Sequence, residues 1–332
     1  MAKSLFTLSA TSVLLSSTIQ RTQGEMARIQ AEVASGRRAD IGLQIGSASA
    51  ALVTFRQEVS VLETAIDANN QIAGRLDASQ NALSSIVSNA QEALKAVMSA
   101  RGNPQARDAA VKEARGALQS FIEATNTSYD GIYIFAGLNV QTAPLEDYFS
   151  TPAPSSKASV EAAFSGAFGF DLDDPVAQTI PVSSMQAFLD SDFASLFDDA
   201  GWESNWTSAT SKGPTSLISM RQTATASVSA HAEAFRKIAS SLVMVAEFGS
   251  ASVNDAAFDA VADLAATGLS EGIALMGGLQ SEMGVVQKQT ADATSVMTRR
   301  LDLANEQVSQ IEQVDFTELS VRLNTLMNQL EA

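Results

Sequence analysis

The sequence predicts a mainly α protein: a long coiled-coil-like helical bundle formed by the N- and C-terminal segments, with a short β-hairpin and a variable α+β insert domain. Three observations carry this. Apart from Pro104, the prolines all fall between Pro144 and Pro214. A proline in a helix interior costs about 3 kcal/mol, so residues 1–103 and 215–332 are free to form long helices and the middle is not. The aromatic residues divide the same way, with 13 of the 20 Phe, Tyr and Trp between Tyr129 and Trp206. Outside that middle, large apolar side chains recur at threes and fours, the spacing that lines one face of a helix.

Taken in order, the first stripe runs Leu5, Leu8, Leu15, Ile19, Met26, Ile29 and Val33, with Ser12 and Thr22 as weaker members, and ends near Gly36. A second follows at Leu52, Phe55, Val59, Leu62, Ile66, Ala73, Leu76, Leu83, Val87, Ala90, Leu94 and Val97, interrupted by Asn69 and Gln80. At 1.5 Å per residue that is a rod of about 70 Å. Asn103 and Pro104 read as an N-cap and a first helical residue, and the next helix puts Val111, Ala114, Leu118, Phe121, Ile122 and Thr125 on one face. In "YDGIYIFAG" the period changes: Ile132 and Ile134 alternate with Tyr133 and Phe135 between Gly131 and Gly137, a strand or hairpin signal.

Residues 139–214 carry eleven Asp or Glu against two Lys, which suggests a solvent-facing module. Helical spacing resumes at Val228, Phe235, Ile238, Leu242 and Val245, pauses at "FGSASVND", and restarts with Asn254 or Asp255 as cap. It then continues over Ile273, Met276, Met283, Val286, Met297, Leu301, Ala304, Val308 and Ile311. A five-residue step from Ile311 to Phe316 offsets the last stripe, Phe316, Leu319, Leu323, Leu326 and Leu330. These breaks divide the chain into an N-terminal coiled-coil helix (1–45), the first half of a helical core with its hairpin (46–138), a variable surface-exposed insert (139–220), the second half of the core (221–312) and a C-terminal coiled-coil helix (313–332).

The two end stripes are apolar seams, and burying one Leu is worth roughly 1.5 to 3 kcal/mol, so each needs a partner. The simplest topology pairs the ends with each other. Two helices leave apolar surface uncovered, and further copies of the chain are expected to pack around the pair.

Other classes are disfavoured. A net charge of -16 and a pI near 4.4 oppose binding to nucleic acid, which relies on Lys and Arg releasing counterions. No run approaches the ~18 apolar residues of a membrane span, so no membrane insertion is expected, and the polar residues in "MAKSLFTLSATSVLLSS" argue against a cleaved leader. The absence of Cys removes disulfides and thiolate metal sites. His231 is the only histidine and reads as a packing residue. The pairs Asp173-Asp174 and Asp198-Asp199 lack the spacing of a calcium loop and read as solvated surface. Gly277-Gly278 and the glycines of "GLQIGSAS" lack a phosphate-loop context and read as points of close helix approach or bending. Trp202 and Trp206 read as core anchors of the insert. No acid, base and nucleophile come together, so neither an enzyme nor a cofactor is expected.

Three stretches, "MARIQAEVASGRR" (26–38), "DGIYIFAG" (130–137) and "DFTELSVRLNTLMNQLEA" (315–332), resemble the flagellin superfamily, and within it the proteins of the hook-filament junction. In the second, Gly131, Tyr133, Phe135 and Gly137 match a Gly-x-Tyr-x-Phe-x-Gly pattern, and in the third Asp315, Phe316 and Glu318 match the entry to the C-terminal helix. The resemblance implies an extracellular structural subunit, exported through the flagellum's own channel, whose interlocking terminal helices polymerise between hook and filament. The partners it implies are copies of itself, an adjacent hook-associated protein, flagellin and an export chaperone. Superfamily members usually continue several turns past the position of Ala332, so the resemblance implies either an incomplete terminal helix or a shorter terminal packing. A filament flagellin and, from another class, a helical signalling or secretion-tip rod are the competing readings.

Overall fold

The computed structural model describes residues 2–39, 48–219, 222–225, 227–249 and 253–331, and their side chains except those of residues 2–12, 14, 48, 222, 224 and 225. Long helices dominate: α1 (Ala2–Ser35), α2 (Ala48–Ala100), α3 (Pro104–Thr125), α7 (Glu233–Phe248), α8 (Asp255–Glu312) and α9 (Phe316–Glu331). Between α3 and α7 lie strands β1 (Ser128–Tyr129) and β2 (Ile132–Tyr133), helices α4 (Ser155–Phe168), α5 (Val182–Phe188) and α6 (Asp199–Asn205), and strands β3 (Thr215–Ser219) and β4 (Gln222–Thr225). The helices begin and end where the sequence breaks its stripes. Gly36, with φ of +69°, stops α1, and Asn103 precedes Pro104 at the start of α3, though its side chain makes no capping bond. Asn254 does cap α8, its Oδ1 accepting from the Ala257 N–H at 2.9 Å.

Two compact units result: residues 67–294, and residues 1–66 with 295–332. In the first of these, Leu76, Leu83, Ala90 and Val97 of α2 bury their stripe in one core with Ala114, Leu118 and Phe121 of α3 and Val261, Leu269, Met276 and Met283 of α8. The polar interruptions of the α2 stripe are satisfied, as burial requires. Asn69 donates to the Ile218 carbonyl at 2.9 Å and to Thr294 Oγ1 at 3.1 Å, and Gln80 donates to the Gln280 carbonyl at 2.8 Å. Helix α7 is buried on every side from Ser241 to Phe248, more than its stripe implied. Its contact with α8 is close because Gly268 and Gly272 face it: a Cβ at Gly272 would stand 2.7 Å from Ile238 Cγ1, and one at Gly268 would strike Ser241 Oγ. Gly277 and Gly278 have no such role. Nothing lies within 4 Å of where their Cβ atoms would be, which corrects the reading of that pair as a close approach; Gly42 and Gly46 lie outside the described residues.

Charge suggested that the insert faces solvent; its rings make it part of the same core. Phe164, Phe188 and Phe193 surround Phe248 of α7 at centroid distances of 5.7, 5.5 and 5.3 Å. Trp202 and Trp206 stack at 5.4 Å, and Tyr148 stacks on Trp206 at 5.5 Å. The acidic residues cap and brace from outside. Asp174 and Asp198 accept from the N–H groups of Val176 and Gly201, at 2.9 and 2.7 Å, and Asp199 pairs with Arg236 at 2.9 Å. Helix starts attract carboxylates for this reason.

One buried acid yields a prediction. Glu247 of α7 is 9 % exposed, and burial raises its pKa, an effect that Lys157 and Arg115 offset in part. The folded chain therefore holds the Glu247 proton more tightly than the unfolded one. Its contribution to stability is complete below the usual carboxylate range and is lost as pH rises through that range toward the raised folded value. Glu247→Gln is expected to raise the urea midpoint at pH 7, with the gain vanishing at about pH 4; an equal gain at both pH values would contradict this.

Candidate assembly surface

In the unit built from both ends of the chain, α1 packs against α9. The turn between α8 and α9 is held to the segment after α1 by backbone: Arg38 N–H donates to the Glu312 carbonyl at 2.9 Å, Val314 N–H to Gly36 at 3.3 Å, and Arg37 bridges Gln313. Asp315 then starts α9, its Oδ1 accepting from the N–H groups of Thr317 at 2.8 Å and Glu318 at 3.3 Å. Those two bonds hold the Asp315 pKa below its ordinary value, since they favour the charged form. The five-residue offset in the sequence is this capped turn.

The paired helices share a small apolar core of Ile29, Val314, Leu319 and Leu326, with Leu323 against it. Of the N-terminal seam, Ile29 is buried, Met26 half-buried, and Leu15 (64 % exposed), Ile19 (41 %) and Val33 (39 %) face outward. The side chains of Leu5 and Leu8 lie outside the described residues. Of the C-terminal seam, Leu319, Leu323 and Leu326 turn inward, while Phe316 (52 %) and Leu330 (36 %) are exposed. Among the described side chains the structure thus brings Ile29 of the first seam against Leu319, Leu323 and Leu326 of the last and leaves the margins of both uncovered. Val13, Val321 and Met327 add to the exposed apolar surface and were missed in the sequence. Met327 was within reach of the pattern, since it lies three turns beyond Phe316 on the same row.

Of the remaining motif residues, those of 130–137 stand in the other unit and Glu318 in this one, and all have local work. Asp130 (φ +51°) and Gly131 (φ +77°) form a two-residue turn between the antiparallel strands β1 and β2, the conformation that favours Asp-Gly in hairpins. Glu318 lies exposed in the first turn of α9, where the helix dipole favours an acid. Tyr133 is half-buried and its N–H donates to the Val140 carbonyl at 2.9 Å. Phe135 is buried 5.4 Å from the ring of Phe235, and its carbonyl accepts from Ala230 N–H at 2.8 Å. Gly137 (φ +64°) leaves no room for a Cβ, which would meet the Lys212 carbonyl at 2.8 Å and Thr210 closer still.

Among the described residues no three His, Cys, Asp or Glu gather as metal ligands, and no helix is long and apolar enough to cross a membrane. His231 is half-buried, with its N–H donating to Ser229 Oγ at 3.1 Å.

A pair of terminal helices with an inner apolar contact and uncovered apolar margins defines a helical subunit built to pack against others. The bacterial flagellin N-terminal helical region matches residues 7–140, and the bacterial flagellin C-terminal helical region matches residues 267–332. Together they span more than half of the chain, which belongs to the flagellin family and is a structural protein, not an enzyme. Proteins of this family assemble into extracellular flagellar polymers. A solved structure from Vibrio parahaemolyticus, provisionally described as a flagellar hook-associated protein, is 12 % identical with a TM-score of 0.56, covering 81 % of this chain and 99 % of that one. No curated protein matches the sequence.

Proposed function

We propose that this subunit polymerises at the hook-filament junction, linking the hook to the flagellin filament. The observation that carries the reading is the segment from Asp130 to Gly137, whose Gly-x-Tyr-x-Phe-x-Gly pattern resembles junction proteins. Three of the four patterned residues have a structural reason there: a left-handed turn at Gly131, an anchored ring at Phe135 and a crossing too tight for a Cβ at Gly137. The fold shared with the Vibrio parahaemolyticus protein supports the same reading. Its partners are then copies of itself, an adjacent hook-associated protein on one side, flagellin on the other, and a chaperone during export.

Deleting the gene tests this. Cells are expected to carry hooks without filaments and to release unpolymerised flagellin into the medium, as seen by electron microscopy and immunoblotting. Loss of the filament polymer itself, with every other subunit exported and retained, would make this chain a filament flagellin instead.

A further inference from the structure

Charged side chains from three segments meet at the base of the α1–α9 pair. Glu312, the last residue of α8, has a side chain only 4 % exposed; Arg37, just after α1, reaches its Oε2 at 3.5 Å, and Arg56 of α2 grips its Oε1. Arg56 does so with two nitrogens, Nε at 3.0 Å and Nη2. Beside them Glu32, 2 % exposed, accepts from the Ala39 N–H at 3.0 Å, and Arg38 Nε donates to the Gln313 carbonyl at 3.3 Å. A carboxylate this enclosed is tolerated only while its cations stay with it.

Beyond that point α1 and α9 meet through apolar side chains, and apolar attraction is non-directional. A stripe that repeats at every turn can be displaced by one turn and still bury similar area. Arg56 converges with two nitrogens on one oxygen of Glu312 while Arg37 faces the other, so charge-assisted bonds hold the carboxylate at one place and admit no such displacement.

We propose that Glu312, clamped by Arg37 and Arg56, is a positioning residue for assembly: it sets the register of α1 against α9, so that their exposed apolar margins form one face for a second copy of the chain. The proposal rests on self-assembly through the terminal helices and is independent of the junction assignment.

Because the chain has no Cys, spin labels can be placed cleanly by Gln30→Cys on α1 and Asn328→Cys on α9, both exposed. The parent monomer is expected to give one narrow inter-label distance. Glu312→Gln is expected to broaden it with helicity retained, and to slow polymer growth about tenfold, equivalent to ~1.4 kcal/mol. Glu312→Asp, which keeps the charge, is expected to restore the narrow distance and most of the growth rate. A narrow distance in Glu312→Gln would overturn the proposal, whatever happened to growth, and so would an Asp variant as defective as the Gln one. Should Glu312→Gln lose its helicity, Arg37→Gln and Arg56→Gln carry the same test, with the same broadening expected. A parent chain that fails to polymerise would strike at the self-assembly reading, while the monomer distances would still decide the role of Glu312.

Discussion

Trp202→Ala is expected to lower the stability of the unit spanning residues 67–294 by about 3 to 5 kcal/mol, the usual cost of emptying a buried aromatic site. Trp202 is fully buried, stacks on Trp206, and donates from Nε1 to the Ala230 carbonyl at 3.1 Å. The Ala230 N–H in turn donates to Phe135, so one indole ties the insert to the β1–β2 segment and to the approach to α7. The loss should therefore appear as a single shifted transition, with near-ultraviolet circular dichroism of the aromatic cluster and far-ultraviolet dichroism of the helices melting together. A variant in which the aromatic signal collapses first, with the helices melting at the parent midpoint, would mean that the insert folds separately. The rings of Phe164, Phe188 and Phe193 packed around Phe248 are the reason to expect one transition.

That coupling was the part of the fold hardest to read from sequence. Helix limits were legible because they rest on local chemistry: the prolines, Gly36, Asn254 and the Asp315 turn act on their own neighbours. The insert's composition was legible too, but eleven carboxylates draw attention to solvent, while where a Phe packs depends on contacts far away in the chain. Periodicity also misses a helix that is buried all round, as α7 is, because a stripe reports one face only. The β1–β2 hairpin is legible from the change of period, and the Asp130-Gly131 dipeptide marks where it turns. For the assembly surface, spacing identified the side chains of both seams. It could not divide the inward Leu319, Leu323 and Leu326 from the outward Phe316 and Leu330, because which margin stays uncovered depends on how one partner helix lies against them. The Glu312 clamp was not legible at all, since Arg37, Arg56 and Glu312 share no pattern until three segments converge.

The division between inward and outward side chains gives the second large effect. Phe316→Ser combined with Met327→Ser should leave the monomer's unfolding midpoint nearly unchanged, since exposed substitutions usually move stability by no more than about 0.5 kcal/mol. Polymerisation should fall by at least about a hundredfold: burying each of these side chains against a neighbour is worth roughly 1.5 to 3 kcal/mol, and each ~1.4 kcal/mol is a factor of ten. Leu319→Ala with Leu326→Ala should behave in the opposite sense. Both are nearly buried against the Ile29 cluster, so their loss should cost about 2 kcal/mol or more each and loosen α9 in the monomer before any neighbour arrives. Sedimentation velocity for polymer mass and hydrogen exchange along α9 for monomer order separate the two variants. If the outer pair polymerised like the parent chain, the uncovered margins of α9 would have no part in contact between copies, and the apolar exposure of Phe316 and Met327 would need another cause. If instead the outer pair loosened α9 as the inner pair does, the two faces would be one seam, and assembly would depend on the α1–α9 contact alone.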